Sequence, residues 1–168
     1  MSGERVILSF PAAGMRFNFR VAGAAIRDGH VLVCREDDDD YCMLPGGRVE
    51  MGEASDVALI REMAEELAMP VEIGPLLFTY ESFYGRAGDR YHELGFIYDI
   101  ELPGDIRPGG MQPFLVREDE GHVLQFSWLP LEGPGLLEAS LQPPWLPERL
   151  RSLSGAPAHV IFHRKASA

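Results

Sequence analysis

The chain of 168 residues carries 15 basic and 26 acidic side chains, a net charge of −11, and is 46% hydrophobic. That length suits one domain with a core of its own, and no apolar run approaches the ~20 residues that span a bilayer. The acidic balance argues against binding long nucleic acid, which needs basic patches against its phosphates, but it leaves room for a small phosphorylated ligand, because a bound cation inverts the local charge.

From the N-terminus, Met1 to Leu8 has a short apolar patch without a basic n-region or cleavage site, so no signal peptide is expected. Cys34 and Cys42 are too few for a disulfide framework and read as core thiols, and a cytoplasmic location follows. Residues 16–26 alternate Phe17, Phe19 and Val21 with polar or small residues, the period of a strand. Asp28-Gly29 is a hairpin signal, and 30–35 returns as the next strand, with His30 at the turn edge. Asp37 to Asp40 lack the spaced ligands and central glycine of a calcium loop and read as solvated. A short strand over 41–44 is broken by Pro45.

Residues 46–69 begin as a glycine loop and continue as a helix. With each residue turning about 100°, Val57, Ile60, Ala64 and Leu67 share one side and are expected to be buried. Glu62, Glu65 and Glu66 are expected on the opposite side. Like charges at this spacing repel, and a hard divalent cation such as Mg²⁺ or Mn²⁺, which prefers oxygen ligands, relieves the repulsion. An acidic run by itself usually marks solvated surface. Ser55 reads as the N-cap, Asp56 favours the first turn, and Pro70 stops the helix.

Strands are expected over 71–84, interrupted at Gly74-Pro75, and over 91–100, with a turn at 85–89 between them. Of the aromatics Phe78, Tyr80, Phe83 and Tyr84, some belong to the core, and one or two are candidates to stack on a nucleobase. Residues 103–123, rich in glycine, proline and charge, read as one long loop. A strand over 126–131 places Trp128 in the core, a short helix begins in 143–150, and 159–163 reads as a last strand. No repeat or second domain is visible; residues 1–168 read as one domain with its core at about 16–153.

The stretch from Gly47 to Met69 resembles the Nudix box, G-x5-E-x7-R-E-U-x-E-E-x-G-U with U aliphatic. Gly47, Glu53, Arg61-Glu62, Met63, Glu65-Glu66 and Met69 fill its positions, and Ala68 replaces its last glycine, which puts helix termination in question. The resemblance implies an α/β fold in which a mixed β-sheet is sandwiched between α-helices. It also implies metal-dependent hydrolysis of a nucleoside diphosphate linked to a second group. Glu62, Glu65 and Glu66 would ligate Mg²⁺ or Mn²⁺, and Arg61 and Glu53 would pair to orient loop and helix, with Glu53 a further ligand candidate. The backbone at Gly46 and Gly47 would approach metal or phosphate. The box does not fix the general base: Glu120 or Glu118, in the long loop, are placed ahead of Glu93. The segments 81–84 and 92–96 more weakly resemble ADP-ribose-pyrophosphatase-like members, which makes Phe83, Tyr84 and Arg86 candidate substrate contacts. A proline that marks many ADP-ribose hydrolases beyond the box is absent, and so is the NADH-type S-Q-P-W-P-F motif. A small nucleotide-diphosphate substrate of the ADP-ribose or nucleotide-sugar type leads. A house-cleaning nucleoside triphosphate pyrophosphatase and a non-catalytic nucleotide sensor are the alternatives, and a homodimer is left open.

Overall fold

In the computed structural model, which describes residues 4–109 and 113–164, the alternating Phe17, Phe19 and Val21 form strand β2 (Met15–Ala24). The readings made on Met1 to Gly3 and on Gly110 lie outside the described residues. One edge of β2 is shared by β1 (Ser9–Ala12) and β6 (Gly46–Arg48), both antiparallel to it. Along its other edge β8 (Asp89–Glu101) runs parallel, followed by β7 (Glu72–Arg86) antiparallel and β12 (Ala158–His163) parallel. A second sheet is built on β4 (His30–Glu36), which pairs with the two-residue strands β3 (Ile26–Arg27) and β5 (Cys42–Met43) and with β10 (His122–Pro130). Strand β9 (Leu115–Asp119) extends it beyond β10, and β11 (Leu141–Gln142) lies parallel to β5.

Four hairpins turn through two residues that both have positive φ: Ala13-Gly14, Asp28-Gly29, Ala87-Gly88 and Glu120-Gly121. This is the turn whose twist matches that of the strands it joins. Asp28-Gly29 is legible in the sequence; the other three put alanine or glutamate where asparagine or aspartate is the usual signal. Missing the last of them is why 103–123 reads as one loop, whereas its second half is the β9–β10 hairpin. The expected strands over 71–84 and 91–100 are β7 and β8, and the Gly74-Pro75 interruption appears as irregular register around Leu76.

Helix α1 (Ser55–Leu67) departs from its expected orientation. Ala58, Leu59, Met63 and Leu67 are its buried residues, whereas Val57 and Ile60 are 53% and 48% exposed and Ala64 is exposed. Rotating the helix to this stripe brings Glu62 and Glu66 to its flank, half-buried against β6, and leaves Glu65 on the outside. Burial of Leu59, Met63 and Leu67 in the core sets this rotation, and Glu62 and Glu66 follow it onto the strand. Ser55 is not the cap: Ala54 holds that position, and the Ser55 hydroxyl lies 2.8 Å from the Tyr98 phenol. At the other end Ala68 takes the left-handed conformation (φ 52°, ψ 33°), and its N–H reaches the Ala64 carbonyl. The helix thus ends where the missing glycine would end it, and ends before Pro70, at a strain of roughly 1 kcal/mol.

Two cores hold the sheets together. Leu59, Met63 and Leu67 of α1 pack with Val21 and Ile100 of the first sheet and with Leu32, Phe126 and Trp128 of the second. On the other side, Ala22, Phe78 and Ile97 meet Val31 and Val33 and the short helices α2 (Gly135–Glu138) and α3 (Leu146–Arg151) through Leu136, Leu146 and Leu150. Each large aliphatic side chain so buried contributes about 1.5–3 kcal/mol. The sheets lie between α1 and the α2–α3 pair, as the α/β expectation has it, with Pro147 in the first turn of α3. Cys42 is buried, and burial raises its thiol pKa to about 11; burial raises Cys34 as well. Among the described residues no helix is long and apolar enough to cross a membrane.

Candidate active site

The expected glycine loop is strand β6, and its glycines are required by close approach. Gly46 has φ 148°, and a Cβ there would sit 2.2 Å from the Val21 carbonyl oxygen. A Cβ on Gly47 would sit 2.1 Å from the Glu62 carboxyl carbon. At Gly46 the clash is with backbone and only glycine fits, whereas a Cβ at Gly47 would push the Glu62 carboxylate off the strand; the Gly46 N–H donates to Glu66 Oε2 at 3.3 Å.

Arg61 ties this arrangement together. Its Nε and Nη2 donate to the two oxygens of Glu53 at 2.8 and 2.9 Å, Nη1 donates to Glu62 Oε1 at 2.7 Å, and Nη2 also reaches the Arg48 carbonyl at 3.1 Å. Such a two-pronged pair fixes orientation as well as charge. The hydrogen bond to Glu53 and the Glu62 carboxylate hold the guanidinium above its ordinary range against the cost of burial, and Arg61 in turn lowers Glu53. Glu53 also accepts from the Glu50 N–H at 3.1 Å, so both its oxygens are engaged in positioning α1, and it does not line the cleft. Arg5, from the N-terminal segment, donates to Glu50 at 2.6 Å and to Glu65 at 3.2 Å.

Glu62, Glu65 and Glu66 line the cleft together, each in a different setting. Burial raises Glu62 despite the neighbouring Arg61. Burial raises Glu66 to about 8, with Arg20 opposing and Glu62 and Asp119 adding to the shift. Glu65, 39% exposed, lies within 3.3 Å of Arg61. An oxygen-only donor set in which burial opposes the charge of the deepest member suits a hard divalent cation such as Mg²⁺ or Mn²⁺.

The cleft has a volume of about 1110 Å³ and runs from these carboxylates over one face of the first sheet. Asn18, Glu93 and Ser82 are paired across β2, β8 and β7 and line its floor. Glu93 therefore faces the cleft, where it accepts from the Tyr80 hydroxyl at 3.0 Å and from the Tyr84 hydroxyl at 3.2 Å. Arg20, on the same face, donates to the Gly46 carbonyl at 3.0 Å. Burial works against its charge, but Glu93, Tyr80, Glu66 and Glu62 outweigh it and raise its pKa.

Of the hairpin carboxylates, Glu120 lines the cleft, as does the unpredicted Asp119. Glu118 is exposed opposite Val123 and does not line it, because residues alternate faces along β9. Phe83 does not line the cleft, for the same reason. It points to the opposite face, with ring centroids 4.5 Å from His92 and 4.6 Å from His163. Tyr84 lines the cleft and stacks on Tyr91 at 5.0 Å, and Arg86 lines it 5.4 Å from the Tyr41 ring. The aspartate run is more than a solvated loop. Asp37 accepts from the Val123 N–H and lies 2.8 Å from His122 Nδ1, joining the β4 end to the hairpin. His30 is a turn-edge residue, its Nδ1 2.8 Å from the Asp28 carbonyl. Arg20 and Asn18 were within reach of sequence reasoning, since they occupy the positions of β2 between the core-facing ones; Asp119 was hidden inside the supposed loop.

A model of the NUDIX domain matches residues 18–148. Over 63 residues the chain is 36% identical to a MutT-like protein of Streptomyces ambofaciens, a match that takes in 37% of this chain and 41% of that relative. A mutator MutT protein from Bacillus halodurans superposes with a TM-score of 0.61 over 89% of this chain and 91% of that one, at 17% identity. An ADP-ribose pyrophosphatase from Streptococcus suis superposes with a TM-score of 0.53 over 86% and 98%, at 16% identity. At such identities the two structures establish a common fold and nothing finer.

Proposed function

The chain belongs to the NUDIX domain family, and from that premise we propose that it is a pyrophosphohydrolase of phosphoanhydrides whose substrate is a nucleoside diphosphate linked to a second moiety, of the ADP-ribose or nucleotide-sugar type. The observation that carries this reading is the shape of the cleft. Its acidic end, at Glu62, Glu65 and Glu66, continues into a polar floor at Asn18, Ser82 and Glu93, which gives a second moiety somewhere to lie beyond the diphosphate.

In this reading Glu62, Glu65 and Glu66 hold Mg²⁺ or Mn²⁺. The metal, when bound, offsets the diphosphate charge and makes a bound water acidic. Arg61 keeps Glu62 aimed into the cleft while Glu53 keeps Arg61 in place. The Gly46 N–H holds one oxygen of Glu66 and leaves the other for a cation. Glu120, at the hairpin tip, takes the proton of the attacking water. The intact carboxylate set argues against a catalytically silent sensor, which has no need of it.

A panel of ADP-ribose, UDP-glucose, a dinucleoside polyphosphate and the four dNTPs, with Mg²⁺ and with Mn²⁺, tests the substrate class. ADP-ribose or UDP-glucose is expected to exceed every dNTP in kcat/KM by at least about tenfold. A dNTP at the head of the panel would replace this reading with the house-cleaning one.

A further inference from the structure

The floor of the cleft holds hydrogen-bonding capacity that neither the metal cluster nor the protein's own contacts use. Ser82 is 3% exposed, and its Oγ has no hydrogen-bond partner among the described residues. Leaving a buried hydroxyl unpaired is costly, so an unpaired one in a cleft wall marks a place where something else bonds. Its cross-strand neighbour is Glu93.

Glu93 is held as an acceptor. The Tyr80 and Tyr84 hydroxyls each approach a different oxygen of it. Burial first, and the Glu93 charge second, raise both phenols, so they stay protonated and donate. A carboxylate has about four lone-pair positions; two are taken by the phenols, and two remain. The posture depends on Gly95, because a Cβ there would lie 2.0 Å from Tyr80 Cζ. The Tyr80 ring thus lies across β8 at a glycine and reaches Glu93 two residues along the strand. Asn18 completes the row on the far side of Glu93, its Oδ1 accepting from the Ser9 hydroxyl at 2.7 Å.

We propose that Glu93, fixed by Tyr80 and Tyr84 and flanked by the unpaired Ser82 hydroxyl, is the specificity-determining residue of the cleft and binds a neutral group that offers two adjacent hydrogen-bond donors. Two parts of a nucleotide substrate have that chemistry: the vicinal diol of a sugar and the N1–H and 2-amino edge of guanine. The inference rests on the hydrolase reading for its choice of ligand, but not for its test. Glu93 is here a binding residue; the candidacy as general base is left to Glu120.

The probes are ADP-ribose with its 2″-deoxy analogue and GTP with ITP, which lacks the 2-amino donor. Dissociation constants measured by calorimetry in EDTA, without turnover, are compared for wild type, Glu93→Gln and Ser82→Ala. Wild type is expected to bind one member of one pair more tightly than its donor-poor partner, by about tenfold or more; which pair responds identifies the source of the donors. Glu93→Gln replaces two acceptors by one acceptor and one donor, so it should weaken the favoured probe about 10- to 100-fold and erase the preference within that pair. Ser82→Ala should weaken the same probe about threefold to tenfold. With Mg²⁺, both variants should raise KM and leave kcat within about threefold. Equal affinity of wild type for both members of each pair would overturn the proposal, as would unchanged affinities in Glu93→Gln, or a loss confined to kcat. Melting temperatures close to wild type show that the variants fold. A wild type that binds these probes but hydrolyses no phosphoanhydride would defeat the hydrolase reading and leave the binding comparison intact.

Discussion

Replacing Glu66 by glutamine tests the electrostatics of the carboxylate cluster without any substrate. In the metal-free protein burial raises Glu66 from 4.5 to about 8. The folded state therefore keeps a proton that the unfolded chain has released over this window, and stability falls as pH rises from about 4.5 to about 8. The sign is opposite to that of a salt-bridged carboxylate. The rise from 4.5 to about 8 corresponds to an upper bound of about 5 kcal/mol; relaxation and solvent entry reduce that to about 2–3 kcal/mol. Glu66→Gln carries no titrating proton, so above pH 8 it should be more stable than wild type by this amount, or about 5–10 °C in Tm for a chain of this size. At pH 5 the two should melt together to within about 2 °C. Mg²⁺ should stabilise wild type at pH 8 by about 2.7 kcal/mol at a hundredfold excess over Kd, and should stabilise the variant much less. The assay is a set of melting curves at pH 5 and 8.5 in EDTA, in Mg²⁺ and in NaCl of matched ionic strength. Parallel curves for the two proteins across pH, with Mg²⁺ doing no more than NaCl, would refute a buried, cation-seeking Glu66. Glu65 is not equivalent: it is paired with Arg5 and Arg61, so Glu65→Gln should not stabilise the metal-free protein.

Three further outcomes follow from the geometry. Ala68→Gly should raise stability by about 1 kcal/mol, because the left-handed residue ending α1 then carries no Cβ; a lower Tm would mean that the helix end is not strained. Arg61→Lys should lower kcat/KM at least about a hundredfold while the protein stays folded, since an ammonium cannot bond both Glu53 oxygens and Glu62 at once; near-normal kinetics would remove Arg61 from the positioning of the cluster. His122 should titrate above its ordinary value, because the Asp37 carboxylate bonds to it, and Asp37→Asn should bring it back down; NMR titration of the imidazole checks both, and an unchanged His122 in the variant would contradict the contact.

The identity of the cluster was legible in the sequence because it depends on local spacing. Gly47, Glu53, Arg61, Glu62 and Glu66 meet through one strand, one turn and one helix, so their order along the chain nearly fixes their contacts. The helix rotation was not legible: Val57 and Ile60 are as apolar as Leu59 and Met63, and which pair is buried depends on the apolar surfaces of the two sheets that α1 docks against. The cleft floor depends on register between strands far apart in sequence. Asn18, Glu93 and Ser82 meet only because β2, β8 and β7 pair as they do, and the faces assigned to Phe83 and Glu118 follow from the same registers. The β9–β10 hairpin was lost to a weak turn signal, Glu120-Gly121, and Asp119 was lost with it.

The central claim is that Glu66 and its neighbours hold the metal that breaks a phosphoanhydride, and the steady-state kcat of wild type and Glu66→Gln on the best substrate of the panel, in Mg²⁺, tests it most directly. Loss of about 4 kcal/mol of transition-state stabilisation corresponds to a fall in kcat of about 10³, and that fall is the expected result, with the melting curves showing an intact fold. A folded Glu66→Gln enzyme that turns over within a few-fold of wild type would contradict the claim.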